Sequence, residues 1–124
     1  MPKRRHHIIN HRLHGALDLL VDMTLAGIAA AAWWSGSSTP AFVLPGVIGI
    51  TNLTYSAITS YALGRHHLIS FPTHLRLDAV AGIALIIGAV VLPEQPVYRG
   101  ALLMMGVGIL GAVALTDPEI SPST

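Results

Sequence analysis

Long apolar runs alternate with short polar breaks along this chain of 124 residues. Each run has about twenty residues, the length that an α-helix needs to cross roughly 30 Å of hydrocarbon. Strand-like alternation of polar and apolar positions is absent, so the pattern predicts helices. The four predicted spans are Leu13–Trp34, Ala41–Leu63, Thr73–Pro93 and Val97–Thr116.

The breaks between the spans contain turn-forming residues, in the segments "SGSSTP", "LGRHHLISFP" and "PEQP". Such short connections make neighbouring helices antiparallel. The sequence therefore predicts an all-α, four-transmembrane-helix up-down bundle. Its parts are a basic cytoplasmic N-terminal tail (1–12), a first two-helix membrane repeat (13–63), a cytoplasmic connection (64–72), a second two-helix membrane repeat (73–116) and a C-terminal tail (117–124).

Composition supports a membrane protein over other classes. Charged residues are 10% of the chain, against about 25% in globular proteins, while hydrophobic residues are 52% and cysteine is absent. A soluble enzyme domain, a disordered chain and a disulfide scaffold are all disfavoured. Basic residues precede the first span and flank the middle connection (Lys3, Arg4, Arg5, Arg65 and Arg76). The positive-inside rule then predicts a multi-pass protein of the inner (plasma) membrane with both termini cytoplasmic.

The two halves of the chain share a motif. "HGALDLL", which begins at His14, aligns with "HLRLDAV", which begins at His74, and each places an aspartate four residues after the histidine (Asp18 and Asp78). Each half continues with an outward and a returning span. The sequence therefore predicts two tandem helical-hairpin repeats, related by an axis along the membrane normal.

With these paired motifs and the connection "SYALG…FPTHLRLD", the chain resembles the SPW-repeat family of small bacterial and archaeal membrane proteins. The resemblance extends from about His11 to Glu119. The Ser-Pro-Trp motifs that name the family are degenerate here, as "AAWWSG" around Trp33 and "VVLPEQ" around Pro93. The resemblance implies a fold and a membrane location, and it implies no reaction.

Polar side chains follow one face of the first span and extend to Asp22, near the middle of the bilayer. An ionised carboxylate at that depth costs at least ~2.5 kcal/mol on insertion scales, so Asp22 should face the protein interior. Asn52 lies at a similar depth on the second span and is its expected hydrogen-bond partner. The predicted polar seam, either structural or a proton path, consists of His14, Asp18, Asp22, Asn52, Tyr55, His74 and Asp78, with Ser56, Thr59 and Ser60 on the same face of the second span.

The His–Asp motifs are also candidate metal ligands. Imidazole and carboxylate four residues apart on a helix can bind a divalent ion, and two facing pairs (His14 and Asp18, His74 and Asp78) would supply four ligands. Neither cysteine nor an HExxH motif accompanies them. Haem ligation by His14 and His74 is a further alternative. Because no cofactor motif is present, no bound cofactor is expected.

Small residues at four-residue spacing predict close helix contacts, at Gly27, Gly88 and Gly108. These contacts would lie either within the four-helix bundle or on an exposed face that docks a larger membrane complex or a second copy.

The segments outside the spans are too short to hold a catalytic domain, and nucleophile, phosphate-binding and nucleic-acid-binding motifs are absent. The first hypothesis is therefore a non-enzymatic accessory or assembly subunit of a larger membrane complex, or a homo-oligomer. Its partners would be the lipid bilayer and other membrane-protein subunits or itself, with no nucleic acid. The second hypothesis is a small transport or proton-relay protein that uses the polar seam. The third is a metal- or haem-binding membrane adaptor.

Overall fold

The computed structural model describes residues 8–60 and 67–119, which form four helices. They are α1 (His11–Trp34), α2 (Thr39–Ala57), α3 (Phe71–Val91) and α4 (Pro96–Leu115). Three of them, α1, α3 and α4, are long and apolar enough to cross a membrane. The all-α class is thus confirmed for this part of the chain. The basic residues Lys3, Arg4, Arg5 and Arg65 lie outside the described residues.

The helices begin at residues whose side chains suit a helix start. The Asn10 carboxamide accepts a hydrogen bond from the backbone N–H of Leu13 at 2.9 Å, and the Ser70 hydroxyl accepts one from Thr73 N–H at 3.3 Å. Each bond satisfies a backbone donor that has no partner within the first turn. Proline occupies the first turn of α2, α3 and α4, where its missing N–H costs nothing.

Helix α2 ends at Ala57, six residues before the predicted end of the second span at Leu63. The chain leaves the helix because its backbone finds other partners. Thr59 forms a parallel bridge with Ile69, and Ser60 N–H donates to the Ile69 carbonyl at 2.9 Å.

A second bridge of the same kind joins the two ends of the described chain. Ile9, just before α1, pairs in parallel with Thr116, just after α4. The backbone N–H of Asp117 donates to the Ile9 carbonyl at 3.0 Å. The two bridges bring Thr59 to the start of α3 and Thr116 to the start of α1.

Helix α1 packs mainly against α2, and α3 mainly against α4, with fewer contacts across these two pairs. The apolar core lies between them and is centred on Leu25, Leu85 and Leu102, none of which is exposed. The outer surface is apolar as well, since Ile50 is 70% exposed and Met104 is 77% exposed. An apolar exterior of this extent is unfavourable in water and suits helices that face lipid.

Helices α3 and α4 approach each other closely at Gly82 and Gly106. A Cβ atom on Gly106 would lie 2.6 Å from the carbonyl oxygen of Gly82, so the contact excludes any side chain. Gly88 is also tightly covered, by the side chain of Leu44 from α2. The predicted packing role is therefore confirmed for Gly88.

Packing within the bundle, one of the two predicted roles, is wrong for Gly27 and Gly108. A Cβ atom at either position would have no neighbour within 4 Å among the described residues. Both residues are exposed. Gly108 lies two positions after Gly106, and two positions along a helix correspond to a rotation of roughly 200°. Gly108 therefore faces away from the contact that Gly106 makes.

Candidate metal centre

Four ionisable side chains meet where α1 and α3 begin. They are His14 and Asp18 of α1 and His74 and Asp78 of α3, and all four are buried. Residues four apart lie on one helix face, so each helix directs both side chains toward the other. The four residues are called the His–Asp cluster below.

The histidine–aspartate pairs cross between the helices. His14 Nε2 lies 2.8 Å from Asp78 Oδ2, and His74 Nε2 lies 3.0 Å from Asp18 Oδ2. The pairs within one helix are longer, at 3.3 Å for His14 with Asp18 and 3.2 Å for His74 with Asp78. Each Nε2 atom therefore faces both carboxylates.

Two threonines hold the other nitrogen of each ring. His14 Nδ1 lies 2.8 Å from Thr116 Oγ1, and His74 Nδ1 lies 2.9 Å from Thr59 Oγ1. Each threonine hydroxyl donates its own hydrogen to the backbone carbonyl four residues earlier. Because a hydroxyl has one hydrogen, both threonines must accept from an Nδ1–H group.

This tautomer has a consequence at the centre of the cluster. A neutral imidazole with its hydrogen on Nδ1 presents a lone pair at Nε2, and both Nε2 atoms face carboxylate oxygens. Lone pairs facing carboxylates repel unless positive charge lies between them. Two carboxylates and two neutral imidazoles carry two negative charges, which two protons or one divalent cation would balance.

Aromatic rings enclose the cluster. The Tyr55 hydroxyl donates to Asp78 Oδ1 at 2.6 Å, and its ring meets the His74 ring edge-on at 5.0 Å between centroids. Phe71, the first residue of α3, contacts the His14 ring edge-on at 5.5 Å. The resulting low exposure strengthens electrostatic interactions within the cluster.

The cluster has the dimensions of a metal site. One ligand atom from each residue can be chosen so that all four lie within 4.8 Å of one another. Adjacent ligands of a tetrahedral zinc ion, with bonds of about 2.0 Å, lie about 3.3 Å apart. The N–O separations of 2.8–3.3 Å are near this value. The separations of up to 4.8 Å within the set would shorten by about 1.5 Å when the four residues close around an ion. Haem fits less well, because carboxylates occupy the space that faces both Nε2 atoms.

Asp22 and Asn52 form a separate pair deeper in the molecule. The Asn52 amide nitrogen lies 2.7 Å from Asp22 Oδ1, so this predicted hydrogen bond is confirmed. Asn52 Oδ1 is buried and has no hydrogen-bond partner among the described residues. Tyr55, another member of the predicted polar seam, donates its hydroxyl to Asp78.

A cavity of about 440 Å³ adjoins the His–Asp cluster and is called the α4 cavity below. Its polar lining is formed by His14, Asp18, Asp78, Asn52 and Tyr55. Apolar residues of α1 and α4 form most of the remaining wall. The exposed Gly108 and Gly111 line it as well, so the mouth of the cavity lies along α4.

The sequence pattern did not identify Thr116 or Phe71 as parts of the site. A signal for Thr116 existed, since "LTD" at Leu115 aligns with "ITS" at Ile58, which contains Thr59. The position in α1 that corresponds to Phe71 in α3 is occupied by His11. The repeat therefore gives no signal for Phe71.

Comparisons with protein-family models, with curated proteins and with solved structures give no match to this chain. The resemblance to the SPW-repeat family therefore stays a prediction.

Proposed function

We propose that this chain is a membrane protein that holds a divalent transition-metal ion in the His–Asp cluster. The observation that carries the proposal is the convergence of two imidazoles and two carboxylates, which offer one ligand atom each within 4.8 Å of one another. Both Nε2 atoms face the carboxylates. The threonine contacts add support, because metal-binding histidines generally donate their other ring N–H to a fixed acceptor. Thr59 and Thr116 supply that acceptor.

The charge of the cluster favours a divalent ion. One such ion would neutralise both carboxylates and bind both Nε2 lone pairs, which two protons would otherwise occupy. Loading the site should therefore release protons, as is general when a metal replaces hydrogen at its ligands. Nitrogen and oxygen ligands without thiolate suit zinc, iron or manganese. Zinc is the natural first probe because two imidazoles and two carboxylates match its tetrahedral preference.

The experiment measures metal bound by the purified protein in detergent. The protein is stripped with a chelator, dialysed against Zn²⁺ and assayed by mass spectrometry of the elements. We expect one ion per chain, with protons released into a weakly buffered, dye-containing solution. Co²⁺ in place of Zn²⁺ should give the intense visible absorption of four-coordinate cobalt.

Two substitutions of matched chemistry test the location of the ion. Asp78→Asn removes a carboxylate from the His–Asp cluster and should abolish stoichiometric binding. Asp22→Asn removes a buried carboxylate that contacts Asn52 instead, and it should bind Zn²⁺ as the unmodified chain does. Circular dichroism would establish that both variants keep their helices.

Absence of stoichiometric binding to the folded, unmodified protein would contradict the proposal. Two protons would then balance the carboxylates, and the cluster would be a structural hydrogen-bond network. That outcome would favour the first hypothesis, an accessory subunit or homo-oligomer, or the second, a proton relay. Copurification of larger subunits in mild detergent distinguishes these two.

We further propose that all four helices cross the membrane as a bundle of two hairpin repeats. The crossed pairs support this, because Thr59 contacts His74 as Thr116 contacts His14. The positive-inside rule supports cytoplasmic termini in the inner membrane. Under this proposal the His–Asp cluster lies toward the cytoplasmic face.

A further inference from the structure

The α4 cavity occupies a place where the two halves of the molecule differ. Thr59 donates its hydroxyl hydrogen to the carbonyl of Tyr55, and Thr116 donates its own to the carbonyl of Ala112. The two threonines also hold corresponding histidines. Ala112 therefore has the position in α4 that Tyr55 has in α2.

The side chains at these two positions differ in what they offer to the cluster. Tyr55 fills its position with an aromatic ring and donates its hydroxyl to Asp78 at 2.6 Å. Ala112 provides only a methyl group, which cannot donate a hydrogen bond. Ala112 and Asp18 both line the α4 cavity, so open space adjoins Asp18 where a second phenol would correspond to Tyr55.

We propose that the α4 cavity binds a membrane-soluble phenol, an aromatic ring with a hydroxyl group and an apolar tail. The phenolic hydroxyl donates to Asp18 as the Tyr55 hydroxyl donates to Asp78. A carboxylate accepts several hydrogen bonds, so this bond adds to those that Asp18 already makes.

The remaining lining suits such a ligand. A volume of about 440 Å³ lies within the ordinary range of small-molecule pockets, which are mostly apolar with a few placed polar groups. Asn52 lines the cavity, is 4% exposed and has a buried carboxamide oxygen without a partner among the described residues. That oxygen is a second acceptor for a ring substituent that carries a hydroxyl group.

The mouth of the cavity defines the route of entry. Gly108 and Gly111 are exposed and line the cavity, and a Cβ atom on either would meet no atom of residues 8–60 or 67–119 within 4 Å. Close helix packing therefore does not require these glycines. Their missing side chains leave the cavity open on a helix that the proposed topology places in lipid, so the ligand enters from the bilayer with its tail along α4.

The test compares two probes that differ by one hydroxyl group, 4-decylphenol and decylbenzene. Native mass spectrometry and thermal unfolding in detergent measure binding to the full chain, first with a chelator present and then with Zn²⁺. We expect saturable binding of 4-decylphenol in the chelated protein. Decylbenzene should bind at least about tenfold more weakly than 4-decylphenol, because a hydrogen bond to a charged group is lost.

Substitutions on α4 test the location. Ala112→Tyr supplies the phenol from the chain itself, so it should abolish probe binding while unfolding at or above the temperature of the unmodified chain. Ala112→Leu fills the same space without a hydroxyl group and should also abolish probe binding. It tests the location of the bound probe if Ala112→Tyr does not fold. Ala114→Tyr, on an exposed position outside the cavity lining, is the matched control and should bind 4-decylphenol normally.

Equal binding of both probes would overturn the phenol assignment, and undiminished binding to a folded Ala112 variant would overturn the location. Absence of saturable binding would overturn both. Because the first arm is metal-free, these outcomes are independent of whether the His–Asp cluster binds zinc.

Discussion

Single hydroxyl groups determine which nitrogen of each buried histidine faces the carboxylates. Thr59 and Thr116 each donate their hydroxyl hydrogen to a helix carbonyl and accept from an Nδ1–H group. Without them, a neutral histidine could carry its hydrogen on Nε2 and donate it to a carboxylate, so that no lone pair would face the carboxylates. The threonines thus prepare Nε2 as a ligand atom, although they contact no carboxylate themselves.

Replacement of Thr59 by valine should destabilise the protein by about 1–3 kcal/mol, since valine has a similar shape but leaves the buried Nδ1–H of His74 without an acceptor. The same change should weaken zinc binding by about 10- to 100-fold, the usual effect of losing an outer-shell partner. Chemical unfolding in detergent and zinc competition measure the two effects.

Thr54→Val is the control for this prediction. Thr54 is exposed and its hydroxyl donates to the Ile50 carbonyl of its own helix at 2.8 Å. Its replacement should change stability and zinc affinity little. Equal effects at Thr54 and Thr59 would mean that the helix, and not the imidazole contact, responds to the loss of the hydroxyl.

At the scale of helices, the contact between α3 and α4 depends on backbone meeting backbone. Gly82 and Gly106 face each other so closely that each Cβ atom would meet the carbonyl of the other residue. A helix backbone cannot move aside as a flexible side chain can. Small residues of this kind are how membrane helices gain dispersion contacts in the absence of a hydrophobic driving force.

Gly106→Ala should therefore destabilise the protein by about 1–3 kcal/mol through overpacking, whereas Gly108→Ala should not. The added methyl group at Gly106 would lie 2.6 Å from a carbonyl oxygen, and at Gly108 it would meet nothing within 4 Å in the part of the chain that the structure describes. Thermal unfolding of the two variants in one detergent tests the difference. A larger loss at Gly108 would show that the exposed face of α4 packs against something outside the chain.

Sequence reasoning predicted some of these features and missed others for identifiable reasons. Apolar length locates α1, α3 and α4 well because membrane-spanning helices need about twenty apolar residues. It extended α2 too far, because the backbone pairing of Thr59 with Ile69 competes with the helix. The small-residue pattern selected Gly108 because the spacing alone does not say which helix face has a neighbour.

The residues of the candidate site were predictable from the sequence, but their pairing was predictable only in part. Four-residue spacing placed each histidine on one face with its aspartate, and equal depth paired Asp22 with Asn52. The crossing of the pairs was not predictable, because a helix-local contact between His14 and Asp18 satisfies the same spacing. The distance between α1 and α3 determines whether the crossed pairs or the helix-local pairs are shorter, and the spacing along the sequence does not give that distance.

For the whole molecule, the His–Asp cluster and the apolar surface together restrict how the chain lies in a membrane. The loops that follow α1 and precede α4 meet at one end, where the Ser38 hydroxyl donates to Glu94. The cluster lies at the opposite end, beside the start of α1 and α3. Arg12 and Arg76 are at that second end, which the positive-inside rule assigns to the cytoplasm.

Labelling of single cysteines should confirm this orientation, because the chain has no native cysteine to interfere. Ser35→Cys, after α1, and Gln95→Cys, before α4, should react with a membrane-impermeant maleimide on intact cells. His67→Cys, at the other end between α2 and α3, should react only after the membrane is permeabilised. All three positions are exposed, so accessibility to the reagent depends on the side of the membrane. Labelling of His67→Cys on intact cells, with protection of the other two positions, would show that the chain has the opposite orientation in the membrane. A metal ion in the His–Asp cluster would then exchange with the external face.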